Sequence, residues 1–119
     1  MKFFILLTIF LLLQTSSFSN DRVERLNQLF NELKVNNSKI SSTIEQEIWK
    51  IWSTHPDDVK LTKKLEEGSQ FVRDQQFDKA IEIFTEVINL DQNWAEAWNK
   101  RATVFYLMGE FKKSQNDID

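Results

Sequence analysis

A lone histidine, His55 in the stretch STHPDD, is the one side chain here whose ordinary pKa would let it trade protons near neutral pH. It could serve as a base or metal ligand only with a partner to orient it or share the ion. The sequence holds no cysteine and no second histidine, so His55, beside Pro56 in a turn, reads as a solvated loop residue. The carboxylates come next. Glu66, Glu67, Asp78, Glu82 and Glu86 fall on the polar faces of helical patterns, where solvation is their default role. No glycine-rich phosphate loop and no serine in a nucleophile elbow occurs. The chain is expected not to be an enzyme and to need no cofactor and no metal.

Two glycines and one proline are too few for a β-sandwich or a glycine-looped enzyme, so the elements that carry these residues are expected to be helices. At 119 residues there is room for one domain. Met1 and Lys2 precede an apolar run from Phe3 to Leu13, broken only by Thr8, and small residues follow at Ser17 and Ser19. This is the pattern of a secretory signal peptide, residues 1–19. A membrane-spanning helix needs about 17 to 25 apolar residues. No cysteine follows the run, which excludes lipid attachment there. The expected compartment is outside the cytoplasm, the periplasm of a bacterium. Loss of Lys2 from fifteen basic against eighteen acidic residues leaves a net charge of −4, which argues against nucleic acid or an anionic membrane surface as partner. No integral membrane span is expected in the mature chain.

Residues 20–58 read as a helical pair. In 21–35, Val23, Leu26, Phe30 and Leu33 alternate at spacings of three and four, with Leu29 widening the stripe. KVNNSKIS reads as a connection, and Ser42-Thr43-Ile44-Glu45 as a capping box opening a second helix to about Thr54. That helix carries Ile44, Ile48, Trp49, Ile51 and Trp52 over so wide an arc that burial on two sides is expected, the alternative being an aromatic docking patch. Pro56 then marks a boundary and suits the first turn of the next helix.

Residues 59–119 repeat themselves. At an offset of 34, Gly68 returns as Ala102, Phe71 as Phe105, Phe77 as Phe111, Lys79 as Lys113, Ala80 as Ser114 and Phe84 as Ile118. Recurrence at this period means stacked helical units, repeat 1 at 61–94 and repeat 2, incomplete, at 95–119. In repeat 1 a helix from Val59 to Arg73 buries Leu61, Leu65, Gly68, Phe71 and Val72. Asp74-Gln75-Gln76 turns the chain, and a helix from Asp78 to Leu90 buries Ala80, Ile81, Phe84, Val87 and Ile88. A close helix crossing needs small side chains, which Gly68 and Ala80 supply. Asn93 and Glu96 read as the cap of a third helix.

These residues resemble the tetratricopeptide repeat. The matching positions are Gly68, Phe71, Ala80, Phe84 and Val87 in repeat 1, and Trp98, Ala102, Phe105, Gly109, Phe111 and Ser114 in repeat 2. The resemblance covers about half of the mature chain. Lys64 stands where the family usually has Trp, Gln75 where a turn Gly is common, and Gln92 where Pro usually closes a unit. The leading helices with EIWKIW, followed by AEAWNKRATVFYLMGEF, are similar to exported bacterial members of the family.

The resemblance implies an all-α fold of tetratricopeptide hairpins, an α-solenoid, preceded by two amphipathic helices. It implies a protein or peptide partner held on a scaffold or adaptor. The groove would present Thr62, Leu65, Ser69, Val72 and Arg73 from repeat 1, and Glu96, Asn99, Lys100, Thr103 and Tyr106 from repeat 2. Leu65 and Ser69 depart from the family's carboxylate-gripping set, so capture of a terminal carboxylate is not expected. The alternative role is a spacer or oligomerisation module leading a longer protein. The final FKKSQNDID sets Lys112 and Lys113 in the first turn and Asp117 and Asp119 in the last, against the helix dipole. A truncated array is therefore expected, with the C-terminal end a candidate for self-association.

Overall fold

The computed structural model describes residues 20–35 and 38–119, with side chains given from residue 40 in the second stretch. The expected signal peptide, residues 1–19, and the middle of the Asn-rich connection, residues 36–37, lie outside the described residues. Six helices and no strand occur among the described residues. They are α1 (residues 20–35), α2 (Ser38–Trp52), α3 (Val59–Arg73), α4 (Phe77–Leu90), α5 (Ala95–Leu107) and α6 (Phe111–Ile118). The chain divides into two compact units between Ile51 and Trp52.

In the leading unit the buried face of α1 centres on Leu29, with Leu26 and Leu33 half-buried beside it. Val23 and Phe30, expected in the stripe, stand more than a third exposed. The helix is thus rotated toward the 26, 29, 33 seam, which also has three- and four-residue spacing. On α2 the buried residues are Ile44 and Ile48, while Trp49 is half-exposed, so the arc is covered less widely than expected. The helix begins at Ser38, a turn before the expected capping box, so Ser42 lies inside it and caps nothing. Ile40, Ile44, Ile48 and Ile51 repeat at four, four and three, which carries the helical pattern back through the serines. Arg25 pairs with Glu47 at 2.7 Å and Arg22 donates to the Ile51 carbonyl at 2.8 Å, tying α1 to α2.

The second unit is two consecutive helical hairpins, α3–α4 and α5–α6. Asp58, not Pro56, begins α3: its carboxylate accepts from the Lys60 and Leu61 amides, satisfying donors the first turn leaves open. Leu61, Leu65, Ala80, Phe84, Val87, Ile88, Trp94, Ala97 and Val104 form one buried cluster spanning α3, α4 and α5, with Phe71, Val72 and Trp98 packed against it. Gly68 is buried because the Phe84 ring lies over it. A Cβ there would fall 2.5 Å from Phe84 Cε1. Ala80, fully buried, lets the helices approach, and Ser114 is buried at the equivalent place on α6.

The two hairpin turns have the same hydrogen-bond pattern. Gln75 N donates to the Val72 carbonyl and Gln76 N to Phe71; thirty-four residues on, Gly109 N donates to Tyr106 and Glu110 N to Phe105, both distances repeating at 3.0 and 2.8 Å. This is the Schellman closure, which requires a left-handed residue after the helix. Gln75 (φ 58°) and Gly109 (φ 78°) supply it.

Candidate functional site

The sequence points to the outward faces of α3 and α5, which lie in contact within the second unit. Not every expected groove residue reaches solvent. Leu65 is 2% exposed and belongs to the core, a correction that follows from its place on the seam facing Phe84 rather than on the open face. Glu96 is also buried, at 7%. Its Oε1 lies 3.6 Å from Lys100 Nζ and has no hydrogen-bond partner, and its Oε2 meets Asn99 Nδ2 at 3.5 Å.

Three hydroxyls are turned onto their own backbones. Ser69 donates to the Leu65 carbonyl at 3.0 Å and Thr103 to the Asn99 carbonyl at 2.9 Å. Thr62 donates to the Asp58 carbonyl at 3.4 Å and accepts from the His55 amide at 2.9 Å. Arg73 lies along α3, bonded to Glu66 at 2.6 Å and to Gln70. Val72 is half-buried, whereas Asn99, Thr103 and Tyr106 are exposed and Lys100 is a third exposed. The face open to a ligand is therefore narrower than expected and weighted toward α5.

Asn93 and Glu96 do not cap α5. Its N-cap is Trp94, without a side-chain bond. The entry is held instead by Asp91, whose carboxylate accepts from the Asn93 amide at 2.9 Å and whose carbonyl accepts from Trp94 N. The same carboxylate reaches His55 Nε2 at 2.7 Å. This overturns the reading of His55 as solvated: its side chain is 7% exposed and its ring meets Trp94 edge-on at 4.9 Å. Nδ1 lies 3.0 and 3.3 Å from the Asp58 and Asp57 amides and 3.0 Å from the Asp57 carboxylate. The hydrogen bond from His55, then that from the Asn93 amide, holds the Asp91 carboxyl below its ordinary value. With both ring nitrogens engaged, His55 joins consecutive loops. One signal could have found it. Asp57 and Asp91 are separated by the repeat period, so their loops must be neighbours.

Sequence reasoning also missed Arg101. Its guanidinium forks onto Asp117 with distances of 2.8 and 2.7 Å, and its third nitrogen donates to Thr85 at 3.1 Å. Its carbon lies 5.2 Å from the Trp98 ring centre and 5.8 Å from that of Phe105. One side chain thus ties α4, α5 and α6. Lys64, standing where repeat 2 has Trp98, pairs with Glu86 of α4, and that bond raises its pKa. An open cleft of about 570 Å³ lies between the start of α5 and the end of α6, around Trp98 and Ile118. Among the described residues, no cluster of His, Cys, Asp and Glu could hold a metal, and no helix is long and apolar enough to cross a membrane.

Paired helices repeating at 34 residues, with a matched closure at each turn, define a helical-repeat protein of hairpin units. The chain is similar to a TPR repeat-containing protein of Rhizobium etli, 29% identical over 102 residues, the match covering 85% of this chain and 50% of the relative. It spans about half the length of that protein. No family model matches the chain, and no solved structure matches it.

Proposed function

We propose that the protein is an exported scaffold or adaptor whose α3–α5 face holds a segment of a protein partner. The observation that carries this reading is the row Asn99, Thr103 and Tyr106, exposed on α5 beside Lys100, on a helix that lies in contact with α3. Residues at helical spacing that the core does not use, with amide, hydroxyl, ammonium and phenol groups side by side, suit a peptide backbone and a few side chains. The relative's name speaks of the repeat and says nothing of a partner.

The reading extends to the chain's organisation. Residues 1–19 form a cleaved leader, 20–58 a helical pair, and 59–119 the repeat region. Expression with its own leader in a Gram-negative host, fractionation and amino-terminal sequencing test export. The expected product starts at Asn20 in the periplasmic fraction, and an uncleaved cytoplasmic product would refute it. Thr103→Arg tests the groove, since a long cation on the exposed face of α5 should weaken peptide binding without lowering the melting temperature.

A further inference from the structure

The corner where α5 turns into α6 carries four apolar side chains in water. Tyr106 is 63% exposed, Leu107 53%, Met108 38% and Phe111 61%. The Tyr106 and Phe111 rings meet edge to face, 5.2 Å between centres. Phe111, one of the repeat positions, is thus held at the surface. One repeat earlier the same corner is Val72, Arg73, Asp74 and Phe77, built on the same hydrogen-bonded turn. There Arg73 and Asp74 are exposed and bonded to Gln70. The turn has no need of apolar residues at the places of Leu107 and Met108, since its twin closes with Arg and Asp. Those two places also stay open in repeat 1 with repeat 2 packed alongside. Clustered apolar residues at positions indifferent to the fold mark a docking surface.

Size and charge select the occupant. Four partly exposed side chains offer a few hundred Å², well under the about 800 Å² per partner of a standard stable interface. A short segment fits; a second copy would find too little to hold. Lys112 has no ion-pair partner among the described residues, and Lys113 sits 5.6 Å from the Phe105 ring centre, reaching Glu110 at 3.5 Å. The patch therefore has a basic border in a chain of net charge −3. We propose that the α5–α6 corner docks a short protein segment bearing two or three large apolar side chains flanked by Asp or Glu, with the acid toward Lys112. This surface shares only Tyr106 with the α3–α5 face and does not rest on the reading of that face.

The test uses the full chain, immobilised and challenged with a display library of random peptides. The most enriched peptide is then titrated by fluorescence anisotropy against wild type, Leu107→Arg/Met108→Asp, Lys112→Glu and Thr103→Arg. The double variant installs the residues repeat 1 already carries, and circular dichroism checks its fold. The expected result is an apolar peptide with acidic flanks whose affinity falls about tenfold or more with the double variant and several-fold with Lys112→Glu, and is unchanged by Thr103→Arg. Enriched peptides without acidic flanks, or bound equally by the double variant, would overturn the proposal. So would a wild-type dimer in sedimentation that the double variant abolishes, which assigns the corner to a second copy. Binding to phosphatidylcholine–phosphatidylglycerol vesicles lost in the double variant assigns it to lipid and also overturns the proposal. Should the double variant unfold, unchanged affinity in Lys112→Glu rejects it alone.

Discussion

Gln75 and Gly109 occupy the same position of consecutive hairpins and adopt the same left-handed conformation, at φ 58° and 78°. A side chain in that region costs about 1–2 kcal/mol relative to glycine, part of which glycine returns through its freer unfolded chain. Gln75→Gly is therefore expected to stabilise the protein by about 0.5–1 kcal/mol. A urea titration of the variant beside wild type checks it, and a lower midpoint would contradict the closure described for this turn.

Gly68 and Phe84 form a second matched pair. Because an added Cβ would meet the ring at 2.5 Å, Gly68→Ala is expected to cost about 1–3 kcal/mol by overpacking. Phe84→Leu alone should cost about 1–2 kcal/mol through lost burial. The double variant should cost less than the two combined, since a smaller residue at 84 makes room at 68. Additive losses in chemical denaturation would mean that the two sites do not share this space.

How much of this was legible beforehand follows from what sequence periodicity encodes. The bounds of α3 and the small-residue crossing at Gly68 and Ala80 stand where the spacing placed them, because apolar period and residue size act locally. The helix starts did not follow the cap signatures. Ser42 lies inside α2 and Asn93 precedes an N-cap that is Trp94, because tertiary packing and a neighbouring loop set those starts. Leu65 was assigned both to the buried face and to the groove, and only the first holds: one residue's turn on a helix is about 100°, enough to separate groove from core. His55 with Asp91 and Arg101 with Asp117 escaped local pattern reading, since their partners lie 36 and 16 residues away, and only the repeat period brings the first pair's loops together.

Arg101 and Asp117 tie the short α6 to α5. Their side chains are 17% and 7% exposed. Asp117→Ala leaves the guanidinium with Thr85 and the two rings only, and is expected to cost about 1–3 kcal/mol, below the about 3–5 kcal/mol of a fully buried pair because Arg101 keeps some water. A double-mutant cycle with Arg101→Ala, read by thermal melting, should give a coupling above about 1 kcal/mol. Independent effects would contradict the fork.

The Asp91 carboxyl, held below its ordinary 3.8 by His55 and the Asn93 amide, makes an acid-side prediction. A group whose pKa is depressed by folding adds stability above the unfolded value, and that stability is lost as pH falls through the folded one. Wild type should therefore lose stability below pH 3.8, and Asp91→Asn should be less stable at neutral pH with a shallower acid loss. Urea midpoints across the acid range decide, and an identical acid slope in the variant would rule the contribution out.

The most direct test of the scaffold reading is an amide chemical-shift titration of the full chain with a peptide selected on it, followed residue by residue. The account predicts that the largest shifts fall on Asn99, Lys100, Thr103 and Tyr106 with Ser69 and Val72, or, for a corner-binding peptide, on Leu107 to Lys112. Shifts confined to surfaces outside both sets, or no selectable peptide at all, would contradict it.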